Sequence, residues 1–134
     1  MQVMHKAYGF DDDAMLWAGA TFFGGISGHQ EGVCGAVSAV GIALGLRYRD
    51  SSGDKEKERK ARELAIRKTG EIVKQFKERF GTIVCIDLVG VDFSDPEAAR
   101  RHFENPPCGI TNTCPDFVRF VVEKMVELEE QPEE

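Results

Sequence analysis

The sequence predicts an all-α protein, a single-domain bundle of about five helices over residues 1–134. Apolar residues recur at helical spacing over long stretches, and capping residues or glycines bound those stretches. Only one short run looks like a strong β-strand, and it has no partner. With 134 residues, 42% hydrophobic and 30% charged, the chain has the size and composition of one globular domain.

The first predicted helix runs from Asp11 to Phe23. Three aspartates at its start suit the positive end of the helix dipole, and Gly24-Gly25 ends it. Because apolar residues surround most of the cylinder, we expect it to be deeply buried. These residues are Ala14, Met15, Leu16, Trp17, Ala18, Phe22 and Phe23.

A glycine-rich loop over residues 24–33 leads into the second predicted helix, Cys34 to Tyr48. This helix is apolar and rich in small residues. Glycine costs a helix about 1 kcal/mol relative to alanine, so its repetition needs a reason. Since Gly41 and Gly45 lie on one face, we expect another helix or a bound group to approach there.

The third predicted helix, Asp54 to Arg79, is long and charged, with oppositely charged side chains at i,i+4 spacing. An apolar line faces the core through Ala61, Leu64, Ala65, Ile72, Val73, Phe76 and Phe80. The run from Thr82 to Val89 could be a strand or a buried helical turn. We assign it to helix because the chain offers no second strong strand.

Two further helices complete the predicted bundle. Ser94 and Glu97 form a capping-box pair that starts a short helix ending near Phe103. After a loop over residues 105–112, Thr113 caps a final amphipathic helix, Cys114 to Glu129.

Charge and hydropathy limit the partners and the compartment that we expect. The formal net charge is -6, so the overall field repels phosphate backbones and anionic lipid surfaces. We therefore expect neither nucleic acid nor a membrane as a partner. No run reaches the roughly 18 apolar residues of a membrane span, and the N-terminus lacks a signal-peptide pattern. These features favour a cytoplasmic monomer or small oligomer such as a homodimer.

Three of the four cysteines stand at predicted helix starts, namely Cys34, Cys85 and Cys114. Unpaired backbone N–H groups at such positions stabilise negative charge, which predicts lowered thiol pKa values and an anionic sulfur site. In a reducing compartment, structural disulfides are rare, so metal binding, redox chemistry and inert burial are the alternatives. The chain has no C-x-x-C pair, which argues against a thioredoxin-type site. The three cysteines are candidate cofactor-binding and metal-binding residues.

The remaining candidates are less specific. Cys108, in a proline-containing loop, is an optional fourth ligand or a resolving thiol, although a purely structural role is the simpler interpretation. His29 is a candidate ligand because its glycine loop runs directly into Cys34. His102 lies on a charged predicted helix and His5 in a tail. A surface position is the ordinary interpretation for all three histidines.

The segment FFGGISGHQEGVCGAVSAVGIALGL, with the later Cys85 and Cys114, resembles the redox-active family named for its C_GCAxxG_C_C cysteine pattern. Members are similar to the iron–sulfur domain of split-Soret cytochromes c, so the resemblance implies an all-helical fold and cluster binding. Carried over residue by residue, it gives Cys34, Cys85 and Cys114. Ala39 stands where the family has its second motif glycine, and the cysteine expected upstream of the glycine-rich loop is missing.

These features favour a redox-active protein that binds an iron–sulfur cluster for electron transfer or redox sensing with an unidentified redox partner protein. Four-thiolate ligation is usual, so three cysteines need another ligand: Cys108, His29 or a residue of a partner chain. A thiol–disulfide oxidoreductase or switch is one alternative. A helical interaction module with inert, buried cysteines is another, and whether the protein is an enzyme stays open.

Overall fold

The computed structural model describes residues 1–104 and 113–130, and within these ranges the chain forms seven α-helices. They are α1 (Gln2–Ala7), α2 (Ala14–Ala20), α3 (Gly35–Arg47), α4 (Lys55–Phe80), α5 (Cys85–Val89), α6 (Pro96–Glu104) and α7 (Cys114–Glu129). The all-α prediction is confirmed, with seven helices in the described ranges rather than about five. None of these helices is both long and apolar enough to cross a bilayer.

Helix α3 lies at the centre and packs against α2, α4 and α7. Its small side chains permit this, because several helices must approach one axis. Val40, Ala43 and Leu44 have no exposed surface. The other helices contribute buried side chains around it, namely Met4, Met15, Ile72, Phe76, Phe117, Val121, Met125 and Leu128.

Four aromatic rings pack α4 against α7. The centroids of Phe76 and Phe80 are 4.7 Å apart, and those of Phe80 and Phe117 are 4.9 Å apart. Phe120 completes the group at 5.3 Å from Phe80, edge to face. Such tilted pairs add about 0.5–1.5 kcal/mol beyond the area they bury. The predicted apolar face of α4 therefore packs against α7 through the last two turns of α4.

The predicted close approach to the glycine face of α3 holds at one of the two glycines. A β-carbon on Gly41 would lie 4.0 Å from Cγ2 of Thr69 in α4, which is van der Waals contact. Around Gly45 there is nothing within 4 Å. Both glycines line an open groove of about 760 Å³ between α3 and α4.

The N-terminal region differs from the sequence prediction in two respects. Residues 2–7 form α1, anchored by the buried Met4, where a tail was expected. The expected deep burial of the next helix is wrong: α2 has seven residues, Met15 is its only buried side chain, and Trp17 is 73% exposed. Trp17 Nε1 donates to the Asp13 carboxylate at 3.1 Å, so the indole lies on the surface with its polar atom paired.

Residues 82–89 contain both structures that the sequence allowed, a short extended segment and a helical turn. Val84 forms an isolated antiparallel bridge with Val33, and helix α5 begins only at Cys85. The next helix is capped by Asp95 rather than Ser94, because the Asp95 carboxylate accepts the backbone N–H groups of Glu97 and Ala98. The final helix has the predicted bounds, with Thr113 as its N-cap.

We expect Phe76→Ala to lower the free energy of unfolding by about 3–5 kcal/mol, because the ring is fully buried and its loss leaves a cavity between α3, α4 and α7. Ile66→Ala is the matched control on the same helix, since Ile66 is exposed, and it should change stability by about 0.5 kcal/mol or less. Urea unfolding followed by circular dichroism measures both. Equal losses for the two variants would contradict the described core.

Candidate functional site

Cys34 and Cys85 are brought together by the bridge between Val33 and Val84. Cys34 N–H donates to the Ile83 carbonyl at 2.7 Å, and Cys85 N–H donates to the Gly32 carbonyl at 3.0 Å. Side chains alternate along extended backbone, so the cysteines leave the bridge on the face opposite the two valines. That face is the interior: Cys34 is 8% exposed and Cys85 is 5% exposed.

Two glycines let the loop over residues 24–33 fold back against this bridge. A β-carbon on Gly25 would lie 2.8 Å from the Gly32 carbonyl oxygen and 3.0 Å from the Cys85 β-carbon. A β-carbon on Gly32 would lie 2.6 Å from the Gly25 carbonyl oxygen. Gly25 also has φ +64°, a conformation that glycine adopts at little cost. No larger residue fits at these positions while Cys85 stays in place.

Gln30 is the buried polar residue of the site, and sequence reasoning did not identify it. Its Nε2 donates to the Val91 carbonyl and its Oε1 accepts from Phe93 N–H, both at 2.7 Å. Its own carbonyl accepts from Ile86 N–H at 3.0 Å. The side chain also hydrogen-bonds the Cys85 sulfur. Gln30 therefore ties the glycine loop to α5 and to the segment that follows α5.

Cys114 is the first residue of α7. The carboxylate of Asp116 accepts from the backbone N–H of Thr113 at 3.0 Å and from its hydroxyl at 2.7 Å. These bonds fix the turn in which Cys114 lies. With Cys34 and Cys85 it lines a cavity of about 290 Å³ whose other walls are mainly apolar. The predicted convergence of the three cysteines on one place is thus present in the structure.

Aromatic rings form one wall of this cavity. Phe23 and Phe93 stack with centroids 6.0 Å apart, and Phe93 and Phe103 are 5.2 Å apart. His102 packs beside both Phe93 and Phe103, at 5.8 Å and 5.1 Å. These contacts bring α6 to the edge of the cysteine cavity.

The structure separates the three histidines. His102 is half-buried, and its Nε2 lies 3.5 Å from the Cys114 sulfur, so interpreting it as an ordinary surface residue was wrong. His29, the favoured histidine ligand from sequence, is exposed. His5 is half-buried, with its Nε2 2.8 Å from the Asp12 carbonyl oxygen. Cys108, the optional fourth ligand, lies outside the described residues.

The expected lowering of the thiol pKa values is wrong in direction for all three cysteines. Burial raises the pKa of Cys34, although the backbone N–H groups of Ala36 and Val37 offset part of this. Burial and the neighbouring Cys34 raise the pKa of Cys85. Burial, then Cys34 and Cys85, raise the pKa of Cys114 to about 11. Desolvation is the largest cause at each thiol and outweighs the groups that favour the thiolate.

All three thiols are free. Among the residues that the structure describes, no three His, Cys, Asp or Glu side chains are arranged to hold a single metal ion. The donors of the site are therefore three sulfurs spread around a cavity, with one imidazole beside the third sulfur.

Fold and site together define an all-helical protein with three thiols on one mainly apolar cavity. Residues 1–128 match the family described as Putative redox-active protein (C_GCAxxG_C_C). The chain belongs to this family, as its resemblance indicated, and the family name assigns it a redox role. Neither a curated protein nor a solved structure matches the chain significantly.

We expect Gln30→Ala to lower the free energy of unfolding by about 2 kcal/mol or more, because it leaves the Val91 carbonyl and the Phe93 N–H without partners. Ser27→Ala is the matched control, since Ser27 is an exposed residue of the same loop with φ +52°. Denaturant unfolding of both variants tests this. If Gln30→Ala is no more destabilising than Ser27→Ala, Gln30 does not hold the site together.

The raised thiol pKa values give a pH dependence of stability with a defined sign. Between about pH 8.5, where an unfolded thiol titrates, and about pH 11, the unfolded chain releases the Cys114 proton and the folded chain keeps it. The free energy of unfolding of the reduced, metal-free protein should therefore fall with rising pH in this window. Cys114→Ser should fall less steeply in urea titrations at each pH. Identical slopes for the two proteins would contradict the raised pKa.

Proposed function

We propose that the protein binds an iron–sulfur cluster through Cys34, Cys85 and Cys114 and serves in electron transfer or redox sensing. One observation carries the proposal: free thiols from three distant segments of the chain line one mainly apolar cavity. A single buried cysteine is ordinarily a small hydrophobic residue, but three sharing one cavity form a ligand set.

The cavity suits such a group in size and chemistry. Its volume of about 290 Å³ is roughly ten times the volume of one water molecule in the liquid. Thiolate donors are typical of iron–sulfur clusters, as they are of zinc and Cu(I). A tetrahedral ion with metal–sulfur bonds of about 2.3 Å needs sulfurs about 3.8 Å apart, whereas ligands to a multi-iron cluster stand farther apart. The three cysteines line the cavity from three separate segments of the chain, which is the arrangement that the cluster proposal needs.

The electrostatics of the thiols also favour a cationic partner. Burial raises the pKa of all three thiols; in addition Cys34 raises the pKa of Cys85, and Cys34 and Cys85 raise that of Cys114, since neighbouring thiolates would repel across an apolar cavity. Iron cations replace the protons and relieve this repulsion, so metal binding is coupled to proton release. The raised pKa values leave little thiolate at neutral pH, which is unfavourable for a nucleophilic thiol.

The residues around the sulfurs have separate roles in this proposal. When bound, an iron–sulfur cluster supplies one-electron chemistry. The walls of the cavity are mainly apolar and include Phe22, Ile42 and Phe117. The backbone N–H groups of Ala36 and Val37, at the start of α3, favour negative charge on the Cys34 sulfur and partly offset the effect of burial on its pKa.

A thiol–disulfide switch is the second candidate, because the same three thiols share a cavity. In that reaction two thiols lose two protons and two electrons to an acceptor disulfide and form one S–S bond. The raised pKa values slow the attack, since the thiolate is the reactive form. Cluster binding also requires deprotonated sulfurs, but there the iron cations themselves stabilise the thiolates.

We expect the full chain, reconstituted anaerobically with ferrous iron and sulfide, to gain visible absorption and bind stoichiometric iron. Cys34→Ser, Cys85→Ser and Cys114→Ser should each lose most of that iron, because each removes a thiolate donor. Cys108→Ser is the matched cysteine control, and retention of its iron would show that this thiol is not needed.

The same experiment can overturn the proposal. A wild-type protein that stays colourless and iron-free would exclude a cluster. Reversible loss of two titratable thiols under mild disulfide oxidation would then favour the switch, and unchanged thiols would favour inert cysteines.

A further inference from the structure

We infer that His102 is the fourth ligand of the site and shares one iron with Cys114. This inference rests on the proposed cluster and adds a residue to its ligand set. The sequence offered Cys108, His29 or a partner chain for this role. In the structure, His102 is the histidine with a ring nitrogen at a cysteine sulfur of the cavity.

The distance between the two donor atoms fits ligands of one metal. His102 Nε2 and Cys114 Sγ are 3.5 Å apart. For a tetrahedral metal with bonds of about 2.3 Å to sulfur and about 2.0–2.1 Å to nitrogen, the two donors stand about 3.6 Å apart. Little movement of either side chain is then needed for both to bind one iron at the edge of the cavity.

The imidazole packs in a cluster of three rings. It lies beside both Phe93 and Phe103, with centroid distances of 5.8 Å and 5.1 Å. Phe93 is itself fixed, because its backbone N–H donates to the buried Gln30 side chain.

Mixed ligation has a chemical consequence for the potential. Three thiolates and one neutral imidazole carry one negative charge fewer than four thiolates. Replacing thiolate by histidine raises the reduction potential of an iron–sulfur centre. A His102→Cys variant should therefore keep the iron but have a lower midpoint potential than the wild type.

The test uses the full chain labelled with ¹⁵N-histidine, reconstituted with ferrous iron and sulfide, and reduced. Pulsed electron–nuclear double resonance should show a nitrogen bonded directly to iron. His102→Ala should lose this signal and most of its iron, and His102→Cys should lose the signal but keep the iron. His29→Ala is the matched control on the exposed histidine and should leave both unchanged.

The outcomes separate this inference from the proposal on which it depends. A wild type that takes up no cluster overturns both. A wild type that holds a cluster without a nitrogen bonded to iron overturns the role of His102 alone, as does a signal that persists in His102→Ala. A weak nitrogen coupling, as from an N–H···S hydrogen bond, also overturns ligation. Circular dichroism of each variant establishes that it is folded.

Discussion

The site depends on one backbone constraint, the pair of hydrogen bonds that flank Val33 and Val84. They join a loop before α3 to a turn before α5, so two cysteines about fifty residues apart in the chain enter the same cavity. The loop reaches the turn only because residues 25 and 32 lack side chains. A bridge of one residue pair contributes little stability by itself. The side-chain amide of Gln30 adds hydrogen bonds to Val91 and Phe93, which hold the glycine loop in place.

Two physical effects compete at each cysteine sulfur, and their balance decides its chemistry. Backbone N–H groups favour a thiolate, but removal of water favours the neutral thiol, and in this cavity the second effect is larger. The result is a set of protonated thiols whose ionised forms are stabilised most by a positively charged partner. Helix starts alone therefore do not identify a reactive cysteine when the sulfur is also buried.

Much of the fold follows from local sequence signals, and parts of the site do not. Cap and stop residues predicted the last helix at its true bounds and the long helix to within one residue, because those signals act within a few residues. Cys34, Cys85 and Cys114 could be chosen for their helix starts and family pattern. His102 could not, since its contact with Cys114 depends on how α6 packs. The exposure of Trp17 was missed because helical periodicity does not reveal how many neighbours cover a helix.

Helix α6 contributes no fully buried side chain, although Phe103 closes part of the cavity. Its hold on the rest of the protein comes largely from the ring contacts of His102 and Phe103 with Phe23 and Phe93. Lifting this helix exposes the sulfurs at a smaller free-energy cost than separating α3, α4 and α7, which share the core. We therefore expect small solutes to reach the sulfurs when α6 separates locally, while α3, α4 and α7 stay packed.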